Sequence, residues 1–200
     1  MLKHILSTSE KVSRNQLRKI FLNYRNQLTP ADIQLSSYSI FEKAIQIVKQ
    51  HNAKHIAVYF SVKGEVQTQE LVEYFWTANL HVYLPIVRAT QNDLIFRPYN
   101  RNSELIKNRF GIPELKISKD TVDMKDCLDL IFVPLVAFDK NCDRLGMGGG
   151  YYDRTLQLLN RNTLTVGLAY GWQEISHLST EEWDIPLDMV ITDERIFLRK

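Results

Sequence analysis

Residues 130–154 read LIFVPLVAFDKNCDRLGMGGGYYDR, an apolar run followed by a glycine-rich turn and an aromatic pair. The apolar part, residues 130–138, predicts a buried strand, and the spacing of Leu156 and Leu159 predicts a helix over residues 152–159. Four of the chain's 8 glycines therefore stand at a strand-to-helix turn. Because glycine has no Cβ, such a turn lets backbone N–H groups approach an anion, and the following helix adds partial positive charge. We expect a phosphate to bind there.

Strands and helices are predicted to alternate along the rest of the chain. Runs of β-branched and aromatic residues predict strands, and apolar residues at spacings of three and four predict helices. The predicted strands are residues 55–62, 81–87, 94–99, 164–170 and 189–192 with 196–198, and residues 68–79 form a predicted helix between the first two. This order predicts an α/β fold of the Rossmann-like, doubly wound type, a three-layer α/β/α arrangement around a mostly parallel sheet.

A pair of N-terminal helices is predicted to precede this alternation. Ser7 and Glu10 have the spacing of a capping box, which predicts a helix with a basic face that runs to residue 28. Thr29 is followed by Pro30 and Asp32, residues typical of a new helix start. Four basic residues of the first helix form either a solvated surface or a phosphate contact: Lys11, Arg14, Arg18 and Arg25.

Composition limits the classes of protein that the chain can be. It has 200 residues, 44% of them hydrophobic and 24% charged, which predicts one globular domain over residues 1–200. A net charge of +2 is too small for general nucleic-acid binding, so we expect small-molecule substrates. Cys127 and Cys142 lack metal-ligand spacing, and no apolar run is long enough to span a bilayer. We expect a cytoplasmic monomer with no membrane or nucleic-acid partner.

Glycine and polar residues follow several of the predicted strands. In parallel sheets of this kind, ligands bind outside the carboxyl ends of the strands. Residues 64–65, 139–150 and 171–173 all fall at such ends, so we expect them to meet in one cleft. Glu65, in the first of these segments, is either a solvated acid or a ligand contact.

The glycine-rich turn does not match the two best-known phosphate loops. A P-loop needs Lys and Ser or Thr after its last glycine, where this chain has Tyr151 and Tyr152. The dinucleotide fingerprint, counted from Gly146, would need its third glycine at residue 151, and the early βαβ context is missing. The plain alternative is a turn whose glycines only allow tight helix packing, and on the residues alone both interpretations stay open.

Charged and aromatic residues beside the turn are candidates for the site. Arg144, next to an anion cradle, is expected to bind the anion rather than remain a surface charge. Asp153 either interacts with the helix dipole or holds Mg²⁺ beside phosphates, and its position alone does not decide between them. Two consecutive aromatic residues cannot both face one core, so we expect Tyr151 or Tyr152 to line the cleft.

Over nearly its whole length the chain resembles the 5-formyltetrahydrofolate cyclo-ligases, also called methenyltetrahydrofolate synthetases. The run RLGMGGGYYDR at residues 144–154 carries the resemblance with the greatest specificity. Weaker pieces follow in the family's order: RNQLR at 14–18, GEV at 64–66 with Thr68, LP at 84–85, FGIPE at 110–114, VP at 133–134 with 138–139, Gln173, and Asp188 with 192–193.

The resemblance implies an enzyme that converts 5-formyltetrahydrofolate to 5,10-methenyltetrahydrofolate. ATP would be the co-substrate, Mg²⁺ the cofactor, and ADP and phosphate the other products. In the implied mechanism the formyl oxygen attacks the γ-phosphate, and folate N10 then takes the place of the phosphate. No enzyme nucleophile is needed, so the protein has to position two ligands and neutralise phosphoryl charge.

The resemblance also implies roles for particular residues. It makes Arg144 and Tyr151 the catalytic candidates. The implied ATP-binding residues are Arg14, Arg18, Arg144, Leu145, Gly146, Met147, Gly148, Gly149, Gly150, Tyr151 and Tyr152. The implied folate-binding residues are Phe60, Glu65, Phe110, Gly148, Gly149, Gly150, Tyr151 and Tyr152. The implied Mg²⁺ ligands are Asp153 and Asp188.

Three residues depart from the family's pattern. Arg14 stands where Lys is common, Leu115 where Pro often stands, and Cys142 where Gly is usual, which argues against a left-handed turn at that residue.

Two rival functions stay open. One rival is a sugar-phosphate isomerase or CoA-transferase-like enzyme on a similar sheet, which would not consume ATP. The other is a nucleotide sensor or assembly factor that binds ATP without turning over folate.

Overall fold

The computed structural model describes residues 12–88, 90–116 and 122–200. Over these residues the α-helices are α1 (Arg14–Arg25), α2 (Pro30–Gln50), α3 (Gln69–Thr77) and α4 (Tyr151–Leu156). The strands are β1 (His55–Ala57), β2 (His81–Arg88), β3 (Asp93–Pro98), β4 (Leu105–Lys107), β5 (Pro113–Leu115), β6 (Leu130–Pro134), β7 (Ala137–Asp139), β8 (Arg144–Leu145), β9 (Leu164–Ala169), β10 (Glu174–Ile175), β11 (Met189–Thr192) and β12 (Ile196–Leu198). Short 3₁₀ turns lie at Lys125–Cys127 and Gly171–Gln173.

The main sheet has seven strands in the order β12–β11–β9–β6–β1–β2–β3. The run from β11 through β9, β6 and β1 to β2 is parallel, and the edge strands β12 and β3 are antiparallel to their neighbours. The predicted α/β fold with a mostly parallel sheet is therefore confirmed. Since β2 lies on one side of β1 and β6 on the other, a crevice opens between the carboxyl ends of β1 and β6, where ligands bind in such folds.

The first two described helices begin at capping boxes. Ser13 Oγ accepts a hydrogen bond from Gln16 N–H at 3.3 Å, and Gln16 Oε1 accepts one from Ser13 N–H at 2.8 Å. The described helix α1 therefore begins at Arg14. The capping box predicted at residues 7–10 lies outside the described residues. Thr29 caps α2 as predicted, with Asp32 as its reciprocal partner.

The strand predicted over residues 130–138 is two strands in the structure. Strand β6 ends at Pro134, and the chain bends through Leu135 and Val136 before β7 begins in a second, three-stranded sheet of order β10–β7–β8. The Gln173 side-chain amide donates hydrogen bonds to the carbonyls of Leu135 and Val136, at 3.1 and 2.8 Å. The backbone carbonyls at the bend are thus hydrogen-bonded by Gln173. This residue is too far along the chain for a local sequence pattern to indicate the contact.

Apolar residues fill both faces of the sheet and the space under α1. Helices α2 and α3 bury Ile40 and Phe75 against one face, and α4 buries Leu156 against the other. Leu17 and Phe21 of α1 pack instead against the small sheet that contains β7 and β8. This packing holds the basic side of α1 next to the glycine-rich turn. Among the described helices, none has the length and apolar character needed to cross a membrane.

Cys142 adopts the left-handed conformation at φ 64°, although its residue type argued against one. Its side chain is fully buried, and the thiol lies 3.6 Å from the Phe197 carbonyl, to which it donates. Burial raises the pKa of the Cys142 thiol to about 11. The turn between β7 and β8 therefore keeps the shape that a glycine would give it, with the thiol inside the core.

Candidate active site

A cleft of about 610 Å³ opens at the carboxyl ends of β1, β2 and β6, within the size range of ligand pockets. Residues from the end of β1, from α1, from the glycine-rich turn and from the β4–β5 hairpin meet around it. The residues suggested by the sequence that line this cleft are Arg14, Arg18, Phe60, Glu65, Phe110, Arg144, Gly146, Met147, Gly148, Gly149, Gly150, Tyr151, Tyr152 and Asp153.

The backbone of the turn requires glycine at two positions. Gly148 and Gly150 have φ angles of 95° and 68°, in the left-handed region. A Cβ on Gly150 would lie 2.6 Å from Nη1 of Arg154, and one on Gly149 would lie 2.8 Å from the Tyr151 ring. The predicted helix over residues 152–159 is shorter in the structure, since α4 ends at Leu156. Backbone N–H groups and nearby cations, more than a long helix dipole, therefore provide the positive potential here.

Arg144 lies buried beneath the turn. Its Nη2 donates to Asp153 Oδ1 at 2.7 Å, and its guanidinium carbon lies 5.8 Å from the centre of the Tyr152 ring. Its Nε has no hydrogen-bond partner among the described residues. Burial lowers the pKa of Arg144, an effect that the charge of Asp153 opposes. A cation held in this way at the wall of a cleft is suited to attract an anionic ligand by its charge.

Two arginines of α1, Arg14 and Arg18, line the cleft together with the turn. Arg18 Nε donates to the Gly146 carbonyl at 2.9 Å, and the pKa of Arg18 is lowered by burial and by the neighbouring charge of Arg14. Arg14 binds both carboxylate oxygens of Asp184 and donates to the Ser179 carbonyl at 2.9 Å. Arg18 therefore contacts the glycine-rich turn, whereas Arg14 is paired with Asp184 at the cleft. A phosphate contact stays a prediction for both residues.

Arg25 is buried. The interpretation of the basic helix as a solvated surface is therefore wrong for this residue. Arg25 is 2% exposed, and its Nη2 lies 3.7 Å from Oε1 of Glu65. Glu65 is 9% exposed and accepts a hydrogen bond from the Val62 N–H at 3.1 Å. Burial raises the pKa of Glu65, and the charge of Arg25 opposes that rise. The interpretation of Glu65 as a freely solvated acid is therefore wrong.

Aromatic side chains form one wall of the cleft. The Phe110 and Tyr151 rings meet edge to face, with centroids 6.0 Å apart. Arg109 stacks on Phe110, with 4.9 Å between its guanidinium carbon and the ring centre, and hydrogen-bonds the Tyr151 hydroxyl. Tyr152 lines the cleft as well, closer to Arg144 and Glu65. The structure therefore brings both tyrosines to the cleft, one more than the minimum expected.

Two predicted site residues and one predicted segment are not brought to the cleft. Leu145 is fully buried in the core under α1. Asp188 precedes β11 and accepts hydrogen bonds from the N–H and hydroxyl of Thr165, at 2.8 and 2.7 Å. Because β11 runs parallel to β9, Asp188 lies at the amino edge of the parallel strands, opposite the cleft and apart from Asp153. Residues 171–173 do not join the expected convergence either, since they pack against the bend after β6 and the turn after β11.

The structure adds cleft residues that the sequence analysis did not select. They include Tyr59, Val62, Lys63, Asn108, Trp183 and Asp184, and they are joined by Arg25, which the sequence singled out only as part of the basic helix. For Arg25 a signal was present, because it follows Leu17 and Phe21 at a spacing of four and so belongs to the buried stripe of α1. Asp184 gave no local signal, since its partner Arg14 is 170 residues away in the chain.

Comparison with known sequences gives consistent matches over most of the chain. A model of the 5-formyltetrahydrofolate cyclo-ligase family matches residues 10–193. A 5-formyltetrahydrofolate cyclo-ligase of Haemophilus influenzae is 42% identical over 176 residues, covering 87% of this chain and 94% of the relative. The protein of the same name from Escherichia coli K12 is 39% identical over 175 residues, covering 86% of this chain and 96% of the relative.

Solved structures agree with the sequence matches. The 5,10-methenyltetrahydrofolate synthetase of Aquifex aeolicus superposes with a TM-score of 0.79 at 30% identity, covering 92% of each chain. The synthetase of the same name from Mycoplasma pneumoniae gives a TM-score of 0.72 at 28% identity, covering 90% of this chain and 99% of that one. From the match of the family model and from these relatives, the chain belongs to the 5-formyltetrahydrofolate cyclo-ligase family of enzymes.

Proposed function

We propose that the protein catalyses the ATP- and Mg²⁺-dependent cyclisation of 5-formyltetrahydrofolate to 5,10-methenyltetrahydrofolate, with release of ADP and phosphate. The observation that carries the proposal is the meeting of two kinds of surface in one cleft. The glycine-rich turn with Arg144 suits a polyphosphate, and Glu65 with Phe60 and Phe110 suits a flat, hydrogen-bonding ring. The names of the relatives support the cyclisation of 5-formyltetrahydrofolate, and the use of ATP is part of the proposal.

ATP is needed because a formamide is a poor electrophile and hydroxide is a poor leaving group. The formyl oxygen attacks the γ-phosphorus, the bond to the β-phosphate oxygen breaks, and ADP leaves with that electron pair. Folate N10 then adds to the activated carbon and gives up its proton. The carbon–oxygen bond breaks, and phosphate leaves with the former formyl oxygen. This sequence uses no covalent enzyme intermediate, so the protein acts by orientation and charge stabilisation.

Arg144 is placed to stabilise the transferring phosphoryl group. Its buried positive charge and its position at the cleft wall under the turn support this role, while Arg14 and Arg18 contribute positive charge from α1. Burial strongly raises the pKa of the Tyr152 phenol, with the charge of Glu65 adding to the rise. Tyr152 therefore stays protonated and donates a hydrogen bond to a ligand oxygen instead of acting as a base. Tyr151, fixed by its bond to Arg109, keeps its proposed contact with the reacting groups.

Mg²⁺ would be held by Asp153 together with phosphate oxygens and water. No three His, Cys, Asp or Glu side chains come together as a metal cage in the described part of the chain. One carboxylate beside phosphates is nevertheless a common Mg²⁺ arrangement, and Asp153 lines the cleft next to the turn. When bound, the ion would offset negative charge on the β- and γ-phosphates. Asp188, at the opposite edge of the sheet, is withdrawn from this role because it cannot share an ion with Asp153.

The two aspartates form a matched test of the metal proposal. Asp153→Asn should raise the Mg²⁺ concentration needed for half-maximal turnover by at least about tenfold, because a charged ligand is lost. Asp188→Asn should leave that concentration within about twofold of the natural protein, since the Asp188 carboxylate binds Thr165 at the edge of the sheet opposite the cleft. Equal effects of the two substitutions would remove Asp153 from the metal site.

The proposed reaction is tested by incubating the protein with Mg-ATP and 5-formyltetrahydrofolate and following the near-ultraviolet absorbance of the methenyl product. We expect the absorbance to rise in step with the release of phosphate, one for each methenyl product. No rise with folded protein refutes the proposal. In that case, ATP binding without turnover favours the nucleotide sensor, and no ATP binding favours the isomerase-like alternative. The expected monomeric state, cytoplasmic location and lack of a nucleic-acid partner stay predictions.

A further inference from the structure

Arg25 is a buried cation under the folate side of the cleft. It is the last residue of α1 and is 2% exposed, while most basic residues at helix ends reach solvent. Its Nη2 lies 3.7 Å from Oε1 of Glu65, too far for a hydrogen bond but close enough for a strong charge interaction in a buried place. Its Nε and Nη2 have no hydrogen-bond partner among the described residues.

A buried guanidinium with two unpaired nitrogen atoms lowers the stability of the fold. Such a group calls for an explanation, and a role for its positive charge would provide one. The neighbouring backbone is fitted to it, because a Cβ on Gly64 would lie 3.1 Å from both Cγ and the carbonyl oxygen of Arg25. Gly64 also has a left-handed φ of 72°, and it is followed directly by Glu65. The end of α1 and the turn after β1 are therefore packed so that the cation faces this one carboxylate.

We infer that Arg25 is a positioning residue, which keeps Glu65 ionised and oriented towards the cleft so that the carboxylate can accept the N–H donors of the folate ring. This inference rests on the proposed function, because it takes Glu65 as a folate contact. Arg25 itself makes its contribution through Glu65, so its removal should change folate binding and leave phosphate binding at the other side of the cleft in place.

The other groups around Glu65 leave this role to Arg25. Lys63 in the same turn adds a smaller favourable charge, and the Val62 N–H donates to Glu65. The groups facing it from elsewhere are phenols, namely Tyr59 after β1, Tyr152 of α4 and Tyr170 after β9. Burial raises the pKa of each of these three, so they stay neutral and do not replace the charge of Arg25.

The sign of the expected change follows from these charges. Burial raises the pKa of Glu65, and Arg25 is the largest opposing influence. Glu65 is ionised above its pKa, so removing the Arg25 charge raises that pKa further and moves the loss of ionised Glu65 to higher pH. Arg25→Gln should therefore shift the titration of Glu65 upward, and Arg25→Lys, which keeps the charge, should shift it much less.

The first measurement does not depend on enzyme activity. Glutamate labelled with ¹³C at the carboxyl carbon is titrated by NMR in the full-length protein, and the Glu65 signal is identified by its loss in Glu65→Gln. We expect an upward shift of the Glu65 midpoint in Arg25→Gln relative to Arg25→Lys and the natural protein. An unmoved midpoint overturns the inference, whatever reaction the protein catalyses.

The second measurement separates positioning from a merely structural role. Arg25→Gln should raise the KM for 5-formyltetrahydrofolate by at least about tenfold at neutral pH, as for a lost charged hydrogen bond, and leave the KM for ATP within about twofold. In a Glu65→Gln background, the same substitution should add little to the folate KM. Equal increases in both KM values, or a full additional effect in that background, overturn the inference.

A folding failure would also be informative. Arg25→Gln leaves a buried carboxylate without its cation, so loss of folding in this variant should be rescued in Arg25→Gln with Glu65→Gln. If the double variant is as unstable as the single one, Arg25 only supports α1 and the inference is wrong. If the natural protein shows no folate turnover but Glu65 titrates as expected, the proposed function fails while the Arg25–Glu65 coupling stands.

Discussion

Replacing Arg144 with methionine tests the buried ion pair at the centre of the cleft. The substitution keeps the aliphatic stem and removes the charge that binds Asp153 at 2.7 Å. The side chains of Arg144 and Asp153 are 2% and 16% exposed, so the cation is fully desolvated and the carboxylate reaches the cleft. Breaking a fully buried pair by removing one partner costs about 3–5 kcal/mol. Because water can reach Asp153, we expect a loss at or just below the lower limit of this range, about 2–3 kcal/mol of unfolding free energy.

A second ion pair serves as the matched control. Arg195 pairs with Glu174 at 3.0 Å, but the Arg195 side chain is 60% exposed. Arg195→Met should lower the unfolding free energy by only about 0–1 kcal/mol, since exposed pairs are screened by water and salt. Adding Asp153→Asn to Arg144→Met should recover part of the lost stability, because the unpaired carboxylate is then gone.

Urea unfolding followed by circular dichroism measures the stabilities, and the Mg-ATP and 5-formyltetrahydrofolate assay measures turnover. We expect Arg144→Met to reduce turnover by at least about tenfold, as when a charge-stabilising donor is removed, and Arg195→Met to leave it unchanged. If the two single variants lose the same stability, the burial argument is refuted. Unchanged turnover in Arg144→Met would remove Arg144 from the reaction.

Two further predictions concern the glycine-rich turn and the two thiols. Gly150→Ala should lower the unfolding temperature more than Gly111→Ala, although a left-handed residue costs about 1–2 kcal/mol in both. Only the Cβ at residue 150 would displace the Arg154 guanidinium, 2.6 Å away, from its bonds to the Asn92 and Gly149 carbonyls. Because this displacement changes the turn, we also expect most turnover to be lost. Equal shifts in the unfolding temperature would contradict this. Cys127 should be alkylated in the native protein at about pH 8 well before Cys142, whose thiol is buried with a pKa of about 11. Mass spectrometry of timed samples checks the order, and equal rates would show that the core around Cys142 opens.

Local patterns in the sequence were sufficient for the fold class and for the centre of the site. The alternation of strands and helices predicted the mostly parallel sheet, and Thr29 with Asp32 marked the start of α2. Residue types alone predict the glycine-rich turn at the cleft, because glycine adopts the left-handed backbone found at Gly148 and Gly150 without the steric cost of a Cβ. These features depend on residues within a few positions of one another, which is the range over which periodicity and capping act.

Sequence reasoning was less accurate where an element ends or where a charge is buried. The apolar run at residues 130–138 gave no sign that β6 stops at Pro134, because the carbonyls after it are satisfied by Gln173. The resemblance implies a metal role for Asp188, but its place before β11 puts it at the amino edge of a parallel strand. The direction of a strand decides which edge of the sheet a flanking residue reaches.

The sequence by itself thus determined an α/β fold, the family and a glycine-rich turn beside a cluster of charged and aromatic residues. Only the tertiary structure decided which of these residues meet and in what state of ionisation. Arg14 binds Asp184, which is 170 residues away in the chain, and Arg25 is buried against Glu65 under the cleft. The physical reason is that strand order and helix packing bring distant residues together, and burial then changes the energy of a charge in a way that no local spacing records.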